Sequence, residues 1–287
     1  EDTLSQIGLG YGFLYLLANR PTIVQWSALA VILVGYWAAF ALYPLPGKDF
    51  DWKAAGVDKS DAETQLSGFA GHWSKNTNAA WAFDTWFLNE FPREAKSEKK
   101  SQSAAPDAAD AKFTNNGGGY STLSFIPTLG TMILGLLAGG VLAGARGPLA
   151  KIRWLLATGV VCLAAGWLLG ALGICPVVKR IWTPSWVLFS GGWCFLFLAG
   201  FYALMDAWGW RRWAFVLVVI GTNSIAAYLI AHLFPSFIEA ALPRHLGSEV
   251  FQSFGPAYEH LLLGLGVLVV EWLILFWMYR RKIFLRI

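Results

Sequence analysis

Charge is what this 287-residue sequence has least of: Asp, Glu, Lys and Arg make up 14% of it, where a soluble domain carries about 25%. So little polar surface excludes a disordered chain and an ordinary soluble enzyme. It also excludes a nucleic-acid binder, whose basicity would be spread over a face. Cysteine is scarce too. Cys162, Cys175 and Cys194 are odd in number and two lie in apolar runs, so neither a disulfide framework nor a metal site is called for. The catalytic signatures are missing as well: there is no Ser-His-Asp set, no H-E-x-x-H, no Walker loop and no dinucleotide fingerprint.

What is present is apolar length. The chain is 56% hydrophobic, with a mean hydropathy of +0.49. Half of its 40 charged residues fall within residues 44–120. About 20 apolar residues in helix cross a bilayer, where only intra-helical hydrogen bonds satisfy the backbone. Six stretches meet that requirement, near 22–43, 121–143, 151–173, 185–205, 213–234 and 258–279. A seventh, from Leu4 to Ala18, is shorter and is read as the end of a helix that begins at or before Glu1. The expectation is an all-α polytopic membrane protein of about seven transmembrane helices. Its parts are two helices in 1–43, an extracytoplasmic loop at 44–120 with a linker at 94–112, and five helices in 121–287.

The short connections set the orientation. With the C-terminus placed inside, ten basic residues fall on the inner side: Arg20, Arg146, Lys151, Arg153, Arg211, Arg212, Arg280, Arg281, Lys282 and Arg286. Only Lys179, Arg180 and Arg244 fall outside. The loop 44–120 is then outside, which in a double-membrane bacterium is the periplasm. Gly135 and Gly139, and again Gly166 and Gly170, have the spacing that lets helices approach closely in lipid. Trp182 and Trp186 at one boundary, and Trp154, Trp208, Trp210 and Trp213 at the other, suit interfacial belts.

Candidate site residues come from polar groups in unexpected places. In the aromatic-rich stretch 69–93, His72, Asn76, Asn78 and Asp84 suit a polar substrate such as a sugar, with Trp73 or Trp81 stacking on it. The competing reading makes the amides helix caps and His72 a partner of the backbone. Within the membrane, Thr222, Asn223 and Ser224 interrupt an apolar helix, and Asn223 either binds ligand or joins helices. Glu271 sits in an apolar run as a proton-relay carboxylate or as a neutral hydrogen-bonding group.

Four stretches carry a resemblance. STLSFIPTLGTMILGLLAGGVL at 121–142, ICPVVKRIWTPSWVLFSGGW at 174–193, GTNSIAAYL at 221–229 and YRRKIFLRI at 279–287 resemble the heparan-α-glucosaminide N-acetyltransferase family, its bacterial members above all. The resemblance implies a membrane enzyme moving acetyl from cytosolic acetyl-CoA, its co-substrate, to an amino sugar across the membrane. It implies that Trp182, Asn223 and Ser224 line the passage. The family's acetyl-handling histidine precedes the matching region, and none of His72, His232, His245 and His260 stands in its context. The chain is therefore expected to be a C-terminal portion, inactive alone, with no catalytic residue assigned. The partners implied are the bilayer, an amino-sugar or glycan acceptor, and a separate N-terminal half or a second copy; no nucleic acid and no metal. The alternatives are a proton-coupled transporter of a polar solute using Glu271, and a non-catalytic membrane subunit.

Overall fold

A computed structural model describes residues 3–61, 63–91 and 112–285. Apart from Lys112, the linker expected at 94–112 lies outside them, as does Arg286 of the basic C-terminus. Among the described residues there are helices and no strands. The protein is an all-α polytopic membrane protein: five helices are long and apolar enough to cross a bilayer, six if one bent pair counts as a span. By its contacts the chain falls into two units, Glu1–Ala203 and Leu204–Ile287. The loop therefore folds with the helices on both sides of it in sequence.

The first unit contains α1 (Thr3–Ala18), α2 (Thr22–Ala41), α3 (Ala79–Glu90), α4 (Phe125–Ala143), α5 (Pro148–Ala171) and α6 (Pro184–Tyr202). At 1.5 Å per residue, the 16 residues of α1 reach only about 24 Å, short of the ~30 Å hydrocarbon core. Local chemistry sets the helix ends. Proline occupies the first turn of α5 and α6, where a missing N–H costs nothing. The buried Gln25 amide donates to the Leu17 and Arg20 carbonyls and so closes the C-terminus of α1.

Glycine decides the tightest packing. On α5 and α6, a Cβ on Gly166 would stand 2.5 Å from the Phe189 nitrogen, and one on Gly192 would stand 2.6 Å from the Leu163 nitrogen. These two helices meet backbone to backbone at Gly166, as expected, whereas a Cβ on Gly170 would meet Val177 and not α6. Gly135 and Gly139 do not behave as expected. A Cβ at either would meet nothing within 4 Å, because this face of α4 borders a cleft rather than another helix.

The second unit contains α7 (Phe215–Thr222), α8 (Ser224–Leu233), α9 (Pro235–Leu246), α10 (Ser248–Phe251) and α11 (Glu259–Arg280). The single span expected at 213–234 is instead broken, with α7 and α8 bent by 73° at Asn223. The reason is visible in the hydrogen bonds. Beyond α11 the chain turns back through Lys282, whose φ is +57°, while Ile283 N–H reaches the Met278 carbonyl. Asn223 grips the returned strand of tail, its amide donating to the Ile283 carbonyl at 2.7 Å and its Oδ1 accepting from Leu285 N–H at 3.0 Å.

Candidate functional site

The expected outer-loop residues separate into two groups. Asn76, Asn78 and Asp84 do come together, with Trp81, Asn116 and Ser121, around a cavity of about 10 Å³. That is room for one water molecule and excludes a sugar. Their polar atoms face inward to the protein. Asn76, held at φ +52°, donates to the carbonyls of Ala55 and Asn116. Asn78 caps α3, accepting from Trp81 N–H and donating to the Ser74 carbonyl. Asp84, 1% exposed, accepts the Thr122 N–H with both carboxylate oxygens. The amides thus fasten three turns of the loop to one another.

His72 and Trp73 lie in a separate aromatic wedge. The His72 Nδ1–H donates to the Tyr43 carbonyl at 2.7 Å; a carbonyl only accepts, so Nδ1 carries the proton. Trp73 is 1% exposed, stacked on Phe40 and edge-on to Phe69. The stacking role expected of it is closed off by burial. Trp81 gives its indole N–H to the Thr114 carbonyl. Trp182, at φ +50°, gives its own to the Thr131 hydroxyl at 3.0 Å. It belongs to the connector 174–183, which is bound to α2 through Trp37 on the Ile174 carbonyl and Tyr36 on the Ile181 carbonyl. Burial in this connector raises the pKa of Cys175.

In the second unit, Asn223 is committed to the C-terminal tail, so its amide is not the substrate donor expected of it. Ser224 is exposed and Glu271 half-buried. His232, next in the same unit, hydrogen-bonds the Tyr228 carbonyl and stacks on the Tyr228 ring.

The open pocket of the outer loop is elsewhere, and most of its walls come from residues that no motif marks. About 400 Å³ in volume, it is bounded by Leu45, Lys48, Trp52, Lys59, Gln65 and Thr77, among others. This is the size range of small-ligand sites. Lys59 lies over the Trp52 ring, 5.8 Å from its centroid. Gln65 donates to the Lys75 carbonyl, which fixes its side chain from the far side. Thr77, 3% exposed, has a buried hydroxyl without a hydrogen-bond partner. Gly68, at φ +61°, takes a conformation that other residues reach only under strain, and nothing stands where its Cβ would be. The alternating charge of 44–68 is the one sequence pattern here, and it is too common to single out a site.

A second cleft of about 500 Å³ lies at the other end of α2 and α4. Trp26, Gly135, Gly139, Gly140, Arg146 and Trp154 line it. Among the described residues neither Arg146 nor Arg153 forms an ion pair, and no group of three His, Cys, Asp or Glu side chains is placed to hold a metal ion.

No family model matches the sequence, and no curated protein matches it significantly.

Proposed function

We propose that the chain is the membrane-crossing, acceptor-binding portion of an acyltransferase of a bacterial inner membrane, with the C-terminus cytoplasmic and the loop 44–120 periplasmic. The observation that carries this reading is the pair of open clefts at opposite ends of α2 and α4. One sits in the outer loop and the other beside the basic connections that mark the inner side. The four resembling stretches point the same way.

In this reading acetyl-CoA approaches from the inner side, where Arg146 and Arg153 are free to face its phosphates. The acceptor, an amino sugar or glycan, approaches from the outer side. The reaction breaks the thioester C–S bond and forms an amide C–N bond. The thiol leaves and a base takes the proton of the amine. No described histidine stands at the outer pocket, and the acyl-handling step is assigned to a histidine-bearing segment outside these 287 residues.

The test is acetyl transfer from labelled acetyl-CoA to glucosamine enclosed in liposomes that carry the full chain. The chain alone is expected to give no product, and its reconstitution with a histidine-bearing segment of the family to give N-acetylglucosamine. Transfer by the chain alone would overturn that division of labour. Absence of transfer from the pair would overturn the acyltransferase reading.

One observation favours a second reading, a proton-coupled transporter. The broken span at Asn223 resembles the discontinuous helices of transporters. Solute uptake driven by an imposed pH gradient, lost in Glu271→Gln, would support it.

A further inference from the structure

We propose that the outer-loop pocket binds an anion, a phosphate group carried on a body of about monosaccharide size. The proposal takes from the preceding reading only that this pocket is the acceptor's.

The charge balance of the pocket carries the argument. Its walls include two ammonium groups, Lys48 and Lys59, and no Asp or Glu. Of the acidic residues nearby in sequence, three have carboxylates tied into turns. The Asp51 carboxylate accepts the Ala54 N–H, and that of Asp58 accepts the backbone N–H and hydroxyl of Ser60. Asp61 accepts the Glu63 N–H and the Thr64 hydroxyl. Among the described residues neither lysine has a carboxylate within 4.0 Å. Two ammonium groups on one concave wall that holds no carboxylate place positive charge at its mouth, and a phosphate is a group that such a pair can bind.

The rest of the lining fits the body of such a ligand. Trp52 offers an aromatic wall, and Leu45, Pro46 and Leu66 offer apolar ones. Gly47 and Gly68 leave open space where side chains would intrude. The buried hydroxyl of Thr77 lacks a partner, which a hydroxyl-rich ligand or its bound water supplies. The same chemistry is found in a free sugar phosphate and in a phospholipid headgroup.

The experiment measures binding of glucosamine 6-phosphate and of glucosamine to the full chain in phosphatidylcholine nanodiscs, with no acyl donor present. The phosphate ester is expected to bind at least about tenfold more tightly than glucosamine and to weaken as salt is raised. Lys48→Gln and Lys59→Gln are each expected to weaken it about threefold or more, on the scale of one exposed charge pair. Lys53→Gln, outside the pocket, is expected to leave it unchanged. If phosphatidylglycerol in the nanodisc displaces the sugar phosphate, the anion site stands and its natural occupant is a lipid headgroup. Equal affinity for the two sugars, or unchanged binding in the Lys48→Gln, Lys59→Gln double variant, would overturn the proposal. Because no acyl donor takes part, this result is independent of acetyl transfer: absence of transfer from the reconstituted pair would remove the acyltransferase reading and leave anion binding in place.

Discussion

Replacing Gly166 with alanine tests whether α5 and α6 are joined through their backbones. The added methyl would stand 2.5 Å from the Phe189 nitrogen, 2.7 Å from the Ser185 carbonyl oxygen and 2.9 Å from the Phe189 Cα. All three are backbone atoms of α6, so no side chain can swing aside. Restoring an ordinary 3.4 Å contact requires the helices to part by roughly 0.9 Å, the difference between 3.4 and 2.5 Å. Overpacking of this kind costs about 1–3 kcal/mol. Alanine's helix propensity offsets at most about 1 kcal/mol of that. For a chain of this size the net loss of up to about 3 kcal/mol lowers the melting temperature by up to about 12 °C.

The chain carries its own reporter. Cys162, 6% exposed, lies on α5 near this seam, while Cys194 on α6 is exposed. In a Cys194→Ser background, a thiol-reactive dye followed against temperature in detergent reads the opening of the bundle. Gly166→Ala is expected to shift that transition down. Gly139→Ala, whose methyl meets nothing within 4 Å, is expected to leave it unchanged or raise it slightly. Equal melting temperatures for the two variants would refute the close-packed seam.

Other consequences follow from the fastened polar groups. Asn223→Ala removes the side-chain partner of the Ile283 carbonyl and of the Leu285 N–H, two hydrogen bonds worth about 0.5–1.5 kcal/mol each. It should speed hydrogen exchange at Leu285; unchanged exchange would mean that the tail is held some other way. Asp84→Ala removes the acceptor of Thr122 N–H, a charge-assisted bond worth about 1.5–3 kcal/mol, and should expose the loop before α4 to protease. Hydrogen bonds from Ser60 to Asp58, and from Thr64 and Glu63 to Asp61, lower both carboxyl pKa values. A lowered folded-state pKa gives stability that is present above the ordinary carboxylate range and lost as pH falls through the folded value. These turns should therefore loosen only in acid, which NMR titration of the Ser60 and Glu63 amides would follow. Loosening between pH 6 and 8 would contradict the assignment.

The legible part of this protein was its periodic part. Five of the six long apolar stretches are helices close to the expected bounds, because backbone satisfaction in lipid leaves one local solution for any such run. The capping role of Asn78 was legible as well, since it depends on neighbours three residues away. The reading weakened wherever a polar side chain had more than one possible partner. Asn223 marks a break in the span, as its neighbours Thr222 and Ser224 suggested. Its partner, however, is a tail sixty residues further on, and no local pattern points there. The glycine spacing at 135–139 and at 166–170 looked equivalent, and only the arrangement of helices put Gly166 at a seam, Gly170 against Val177, and Gly135 and Gly139 on a cleft.

The sequence by itself therefore determined that this is a helical membrane protein, where most of its helices lie, and that half its charge sits in one loop. Tertiary structure decided which of the polar groups are already satisfied. His72, Asn76, Asn78 and Asp84 looked available in the sequence and are each committed to backbone in the fold. Lys48 and Lys59 looked like ordinary surface charge and end unpaired on a pocket wall. The physical reason is one of range. Burial and helix propensity act on each residue through its own neighbourhood in the chain, whereas the state of a hydrogen-bonding group depends on which distant backbone atoms folding brings within 3 Å of it.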